Sequence, residues 1–289
     1  MQDFIDQFST DKACRDYVAK VRWGGTPRCP HCAESVLWAV RRGVFQCKKC
    51  RRDISITAGT VFGDSRIPLR LWFQALWCVV SQKNGVSALG LSRVLGIKGY
   101  ETAWYLLQRI RGAMVRPGRE RLSGLVEVDE VFFGGVKPGI RGRGALGKVL
   151  ILVAVEDKGK TGFGRIRITV IPDASATSLR HAIESMVEPG STIRTDEWKG
   201  YPSIAKHGYA HIAVKGHSSV PGEDPTPLVH RIASLLKRWL LGTHHGRVEE
   251  THLISYLNEF VFRFNRRRSA SRGKLFFRLV QQMTGAAQA

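Results

Sequence analysis

The sequence predicts an α/β layered catalytic domain preceded by a small metal-binding module and a helical segment, and three observations carry that reading. Four cysteines fall as two close pairs near the start of the chain. Strand-like and helix-like runs alternate after residue 119. Two aspartates, Asp129 and Asp196, lie in strand-like sequence within a chain whose formal net charge is +21.

A charge that large seeks a polyanion, and carboxylates inside such a field repel the same polyanion unless a divalent cation stands between them. Phosphodiester chemistry is therefore the first expectation. The hydrophobic content of 43% is enough for packed cores and excludes a disordered basic tail. The start, Met1-Gln-Asp-Phe-Ile-Asp6, has neither the basic region nor the apolar run of a signal peptide. The longest purely apolar stretch, Val149 to Val155, is far short of the roughly 20 residues a membrane-spanning helix needs. A cytoplasmic protein with no membrane partner is expected.

Taken in order, the first module is Cys29-Pro-His-Cys32 and, after fourteen residues, Cys47-Lys-Lys-Cys50. Each CxxC turn directs two thiolates at one ion, and two turns close a tetrahedral shell with no open position. That is zinc-ribbon spacing, and the expected ion is a structural Zn2+. His31, between two ligands, reads as a spectator. Residues 36–40 and 43–47 read as a short hairpin between the knuckles, surrounded by Arg and Lys that suit DNA phosphate. Cys14 and Cys78 lack partner spacing and read as core.

Residues 69–114 carry helical periodicity with a break where a helix-turn-helix needs one. Ser87 is a candidate cap, Gly96-Ile-Lys-Gly99 a candidate turn, and a second helix follows from Glu101. Tyr100, Thr102, Tyr105, Arg109 and Arg111 are candidate groove or phosphate contacts. An ordinary helical hairpin, with Trp104, Leu107 and Ile110 as core, has the same pattern.

Strand-like runs then fall at 125–133, 149–156, 164–171, 191–196 and 210–215, with helical segments at 175–187 and about 199–207 and two longer helices after them. That order suits a ribonuclease-H-like fold, in which carboxylates on the first and fourth strands meet at one edge of the sheet. Asp129 and Asp196 would be neighbours there. Asp129 in particular sits among residues of high β propensity, where an unpaired buried carboxylate is costly. The expected regions are 1–62 for the N-terminal segment and ribbon, 63–118 for the helical segment and 119–289 for the catalytic domain.

The helix expected to begin near Leu228 shows one apolar stripe through Ile232, Leu235, Leu236, Trp239 and Leu240. His230, Ser234 and Lys237 cluster on the other side, facing either a catalytic groove or water. The next helix repeats the stripe and ends in Arg266 to Arg268, cations that suit the helix dipole or a phosphate. Gly142 to Lys148 imitates a phosphate-binding loop, but Val149 stands where Ser or Thr would hold magnesium and a strand follows, so ATP binding is not expected.

Together, the cysteine pairs, Val128-Asp-Glu130 with Gly134-Gly135, Thr195-Asp-Glu-Trp-Lys-Gly-Tyr201, and His230 to Lys237 with Gly242-Thr-His244 resemble bacterial insertion-sequence transposases of the ISXO-like DDE group. The resemblance spans roughly residues 14–268. It implies a catalytic triad of Asp129, Asp196 and His230, with histidine where the plain pattern has an acid, and a phosphate-contacting Lys237 seven residues on. Asp129, Asp196 and His230 would hold two Mg2+ or Mn2+ ions about 3.5 to 4 Å apart. A histidine ligand implies more manganese tolerance than an all-carboxylate site. Glu223 and Asp224, just before the helix, are alternatives for the third ligand; Glu127 and Glu130 are candidate secondary acidic contacts.

The implied activity is cleavage at the element's ends and strand transfer into target DNA, by a homo-oligomer in a synaptic complex associated with the bacterial nucleoid. The rival readings are a zinc-ribbon DNA-binding regulator without chemistry and a metal-dependent nuclease without strand transfer.

Overall fold

The computed structural model describes residues 2–24, 28–41, 43–116, 118–133, 148–216, 224–244 and 250–285. They form two compact units, Met1–Arg116 with Ser269–Ala289, and Pro117–Arg268. The expected Gly- and Arg-rich loop after Phe133, including Gly134 and Gly135, lies outside the described residues, as do residues 217–223, with Glu223 among them, and 245–249.

The first unit begins with helices α1 (Gln2–Gln7) and α2 (Asp11–Trp23), the second capped by Thr10 Oγ1, which accepts from Ala13 N at 3.2 Å. Strands β1 (Leu37–Arg41), β2 (Val44–Cys47) and β3 (Asp53–Ser55) form an antiparallel sheet in that order, adding a third strand to the expected hairpin. Helix α3 (Leu69–Ser81) buries Trp72, Phe73, Leu76 and Val79. Helices α4 (Ala88–Leu95) and α5 (Tyr100–Ala113) follow. Ser87 caps α4 by accepting from Gly90 N at 3.0 Å, as its place in the sequence suggested. Gly96 ends it in the left-handed region at φ 65°, where a residue without Cβ is favoured.

The second unit holds one five-stranded sheet built from β4 (Leu125–Phe133), β5 (Val149–Asp157), β6 (Phe163–Ile171), β7 (Thr192–Thr195) and β8 (Ala210–Ala213). Its order is β6-β5-β4-β7-β8: an antiparallel meander of the first three strands, with β7 added parallel to β4 and β8 parallel to β7. This is the ribonuclease-H-like arrangement the strand order predicted. Helix α6 (Ala176–Met186) covers one face, burying Leu179 and Ile183 against Val126, Val128, Leu150 and Leu152. Helices α7 (Pro227–His244) and α8 (Glu250–Asn265) cover the other, where Ile232, Leu236 and Leu240 meet Ile151, Val153 and Val155. The alternation along β4 therefore points Val126 and Val128 one way and Glu127 and Asp129 the other. The helix expected at 199–207 is a 3₁₀ turn over Pro202–His207.

The division into units differs from the sequence reading, since residues 1–116 lie in one unit where two regions, 1–62 and 63–118, are expected. A further helix, α9 (Arg272–Thr284), belongs with the first unit, so the second compact unit ends at 268 and not at 289. Phe276 of α9 sits 5.2 Å from both Phe4 and Phe73, ring centre to ring centre, and Val61 N donates to Met283 O at 2.8 Å. Phe276 meets Phe4, Tyr17, Phe73 and Trp77, all 199 or more positions earlier, which no local pattern announces. Among the described residues no helix is long and apolar enough to cross a membrane.

Candidate functional site

The two CxxC turns fold as copies of one another. Cys29 N donates to Glu34 O and Cys29 O accepts from Ala33 N; Cys47 N donates to Arg52 O and Cys47 O accepts from Arg51 N. Ala33 and Arg51 consequently take left-handed backbone, at φ 58° and 60°. The thiols converge: Cys29 and Cys50 are 3.6 Å apart, Cys32 and Cys47 3.5 Å, and all four lie within 4.8 Å of one another. A tetrahedron with Zn–S bonds of about 2.3 Å has edges of about 3.8 Å, so the set fits one zinc ion. Burial raises the Cys47 thiol, but the N–H groups of Cys50 and Lys49 and the Cys32 thiol more than offset it, bringing Cys47 down to about 7. His31 Nδ1 lies 3.0 Å from Arg52 Nη1, outside the thiol set.

In the second unit, β4 pairs with β7 in parallel register through Glu127↔Arg194. Asp129 lies two residues beyond this pair along β4, and Asp196 two residues beyond it on the other chain segment, just past the end of β7. Asp129 is buried; its Oδ2 accepts from Thr226 Oγ1 at 2.8 Å and lies 3.3 Å from His230 Nε2. His230 Nδ1 in turn lies 2.7 and 2.8 Å from the two carboxylate oxygens of Asp224.

The start of α7 explains why these groups meet. Asp224-Pro-Thr-Pro227 is a helix-start signature, with Pro227 at the first helical position and Thr226 just before it. Asp224 Oδ1 accepts from Thr226 N at 3.0 Å, and the first-turn N–H groups of Leu228 and Val229 donate to Glu127 Oε2 at 2.8 and 3.4 Å. Glu127 is fully buried and also takes Arg194 Nη1 at 3.4 Å. Burial pushes its carboxyl up, against the N–H of Leu228 and the charge of Arg194. Glu127 is thus the residue that fastens α7 to β4, a role its place beside Asp129 did not reveal.

His230 is held well above the ordinary histidine value, at about 9, chiefly by its hydrogen bond to Asp129, opposed by burial and reinforced by Asp224. Without a metal it is an imidazolium between two carboxylates. The Asp129 oxygen and the His230 nitrogen, 3.3 Å apart, are donors of the kinds that ligate a divalent ion, so this pair suits one. Its mixture of oxygen and nitrogen suits Mn2+ better than Mg2+.

The segment 195–201 is also decoded by its contacts. Asp196 Oδ1 accepts from Trp198 N at 3.0 Å, and Trp198 Nε1 donates to Ala174 O at 2.9 Å. A Cβ on Gly200 would stand 2.8 Å from Leu179 Cδ1 and 3.0 Å from Ala174 O, so only glycine lets the chain pass. The buried Tyr201 hydroxyl donates to Glu130 Oε2 at 2.6 Å, tying this loop back to β4. Glu130 is therefore engaged on the α6 side of the sheet.

Other expected residues are placed differently. Lys237 is exposed on α7, and seven residues at 1.5 Å rise carry it about 10 Å along the helix from His230. Glu223 lies outside the described residues. The donor atoms of Asp129, Asp196 and His230 do not all lie within 4.8 Å of one another; among the described residues only the four cysteines form such a group. Arg111, expected among the DNA contacts, is 1% exposed, and Arg109 Nη2 donates to Val61 O and Gly63 O at 2.6 and 3.2 Å. Both serve the fold; Tyr100 remains exposed at the start of α5. At the end of α8, Arg267 donates to Phe163 O and Gly164 O, and Arg268 to Thr161 O, so these cations hold the β5–β6 turn.

Residues 121–265 match the family model of an ISXO2-like transposase domain, and residues 9–53 that of a transposase zinc-ribbon domain. The chain is 28% identical over 284 residues to an uncharacterized protein in transposable element ISH50 of Halobacterium salinarum, covering 90% of this chain and 92% of that protein. Among solved structures it is similar to the catalytic core domain of BIV integrase, with 19% identity, TM-score 0.32, and coverage of 47% of this chain and 81% of that one. It is also similar to a simian T-cell lymphotropic virus intasome in complex with a PP2A regulatory subunit, with 16% identity, TM-score 0.31, and coverage of 60% and 63%.

Proposed function

This chain belongs to the ISXO2-like transposase family, and we propose that it cleaves DNA at the ends of an insertion sequence and joins the freed strand to target DNA. The observation that carries the reading is the approach of His230 Nε2 to Asp129 Oδ2, 3.3 Å, beside the strand end that bears Asp196. Asp129, Asp196 and His230 are the residues that would hold divalent ions. Bound there, such ions supply Lewis acidity for the attacking oxygen and charge stabilisation for the departing 3′ oxygen.

The chain's own residues provide the rest. The Thr226 hydroxyl orients Asp129, and the turn to Trp198 orients Asp196. Lys237, exposed further along α7, would contact phosphate near the cut. The zinc ribbon and the α4–α5 pair would supply the DNA grip, and the net charge of +21 the attraction that precedes it. Synapsis of two ends would need at least two copies, and the compartment would be the one that holds the bacterial DNA.

The test is a strand-transfer assay using the DNA ends that flank this gene. Metal-dependent nicking followed by joining is expected, lost in Asp129→Ala, Asp196→Ala and His230→Ala while DNA binding persists, and retained with Mg2+ in His230→Glu. Binding to the ends without nicking in Mg2+ or Mn2+ would leave a DNA-binding regulator, and nicking without joining a nuclease.

A further inference from the structure

We propose that Asp224 is a positioning residue that fixes the imidazole of His230, keeping the proton on Nδ1 and presenting the Nε2 lone pair toward Asp129 as the third metal donor. The inference rests on the reading of Asp129, Asp196 and His230 as metal ligands and assigns Asp224 a place outside that set.

The geometry carries it. An imidazole has two nitrogens, and the one that does not bind metal fixes the ring by donating its hydrogen to a neighbour. Here both Asp224 oxygens lie within 2.8 Å of Nδ1, while Nε2 faces Asp129. Asp224 is itself held, because its Oδ1 accepts from Thr226 N at 3.0 Å. Thr226 N–H and Oγ–H therefore act in opposite directions from one residue, the first steadying Asp224 and the second steadying Asp129 Oδ2 at 2.8 Å. One helix-start turn aligns two donors that come from different elements. A carboxylate spent in this way on a ring nitrogen is not the third ligand, and the hydrogen bond it accepts makes His230 a more basic donor.

The experiment uses the full chain, zinc-loaded, with ¹⁵N-labelled histidine, titrated with Mn2+ and followed by electron paramagnetic resonance and its nuclear modulation. Wild-type protein is expected to show a histidine nitrogen coupled to Mn2+ that disappears in His230→Ala. Asp224→Ala should weaken Mn2+ binding roughly 10- to 100-fold and lose or broaden that coupling. Asp224→Asn, whose amide oxygen still accepts from Nδ1–H, should recover most of both. Should Asp224→Ala fail to fold by circular dichroism, nitrogen shifts of His230 in the wild-type and Asp224→Asn proteins, read with diamagnetic Mg2+, decide the tautomer.

Three results would overturn the assignment, each differently. Wild-type affinity and coupling in Asp224→Ala remove Asp224 from the site while leaving His230 a ligand. Weakened binding with a wild-type spectrum that never showed nitrogen makes Asp224 itself the ligand. No Mn2+ binding by the wild type defeats the underlying reading of the triad.

Discussion

The zinc ribbon and the proposed second metal site of this chain are built on opposite principles. The four thiols of the ribbon are gathered by backbone: each knuckle bonds to itself within five residues, and two copies brought together by a short sheet complete the shell. The donors of the second site come from two strands and a helix separated by 67 and 34 residues, and side chains hold them. They are not drawn in to the spacing of a single ion. The first site resembles a lock already closed. The second, on the proposed reading, would take up ions and a phosphate only as the reaction requires, binding the transition state better than the resting one.

If that contrast is right, metal should matter to folding in the first region and to pH in the second. The largest effect is expected from chelating zinc, or from Cys47→Ser, which removes a contribution on the order of 10 kcal/mol. The small core of Cys29, Cys47 and Ile54 cannot replace it. Loss of ribbon structure by circular dichroism, with stoichiometric zinc in the untreated protein, is the measurement; a ribbon that stays folded without metal would break the comparison.

The second expectation is a pH dependence of Mn2+ binding at the other site. His230 must lose a proton held to about 9, so affinity should rise about tenfold per pH unit below that value and level above it. In metal-free protein the sign reverses. A folded value raised above the unfolded one stabilises fully below about pH 6.5, and that contribution is lost as pH rises through about 9. Calorimetric titration from pH 6 to 8 and thermal unfolding of metal-free protein from pH 6 to 10 check the two halves. A flat binding profile would mean that His230 carries no proton to displace.

A smaller effect is expected from Glu127→Ala, which leaves two helix N–H groups and Arg194 without their carboxylate. A loss of about 1 to 3 kcal/mol in the second unit, with zinc content unchanged, sharpens the separation of the two regions. The smallest is Ala33→Gly. Relief of left-handed backbone should leave zinc affinity the same or improve it by up to about 1 kcal/mol, measured by chelator competition, if the knuckle backbone is what aligns the thiols.

What could be read from the sequence follows the same division. Cys29 to Cys50 declared themselves because spacing alone decides which thiols a knuckle presents. Asp129 was legible because a carboxylate among valines and phenylalanines conflicts with its strand, and α7 because its apolar stripe repeats. Glu127 and Thr226 were not, since their partners lie 101 and 97 residues away. The Asp-Pro-Thr-Pro start of α7 was a local signal that could have placed the first turn of that helix at Pro227. Arg111 was misread for a general reason: a basic residue on a helix suggests DNA until burial shows that it faces inward.

Helix α9 gives the chain an order of assembly. The second unit is spelled out between two pieces of the first, and Phe276 leaves the ribosome only after every residue of the sheet has been made. During synthesis the region that starts first must therefore wait to close its aromatic core around Phe4 and Phe73, whereas the sheet with its carboxylates can fold beforehand. A nascent chain stopped before α9 would carry a folded second unit attached to an unfinished amino-terminal one.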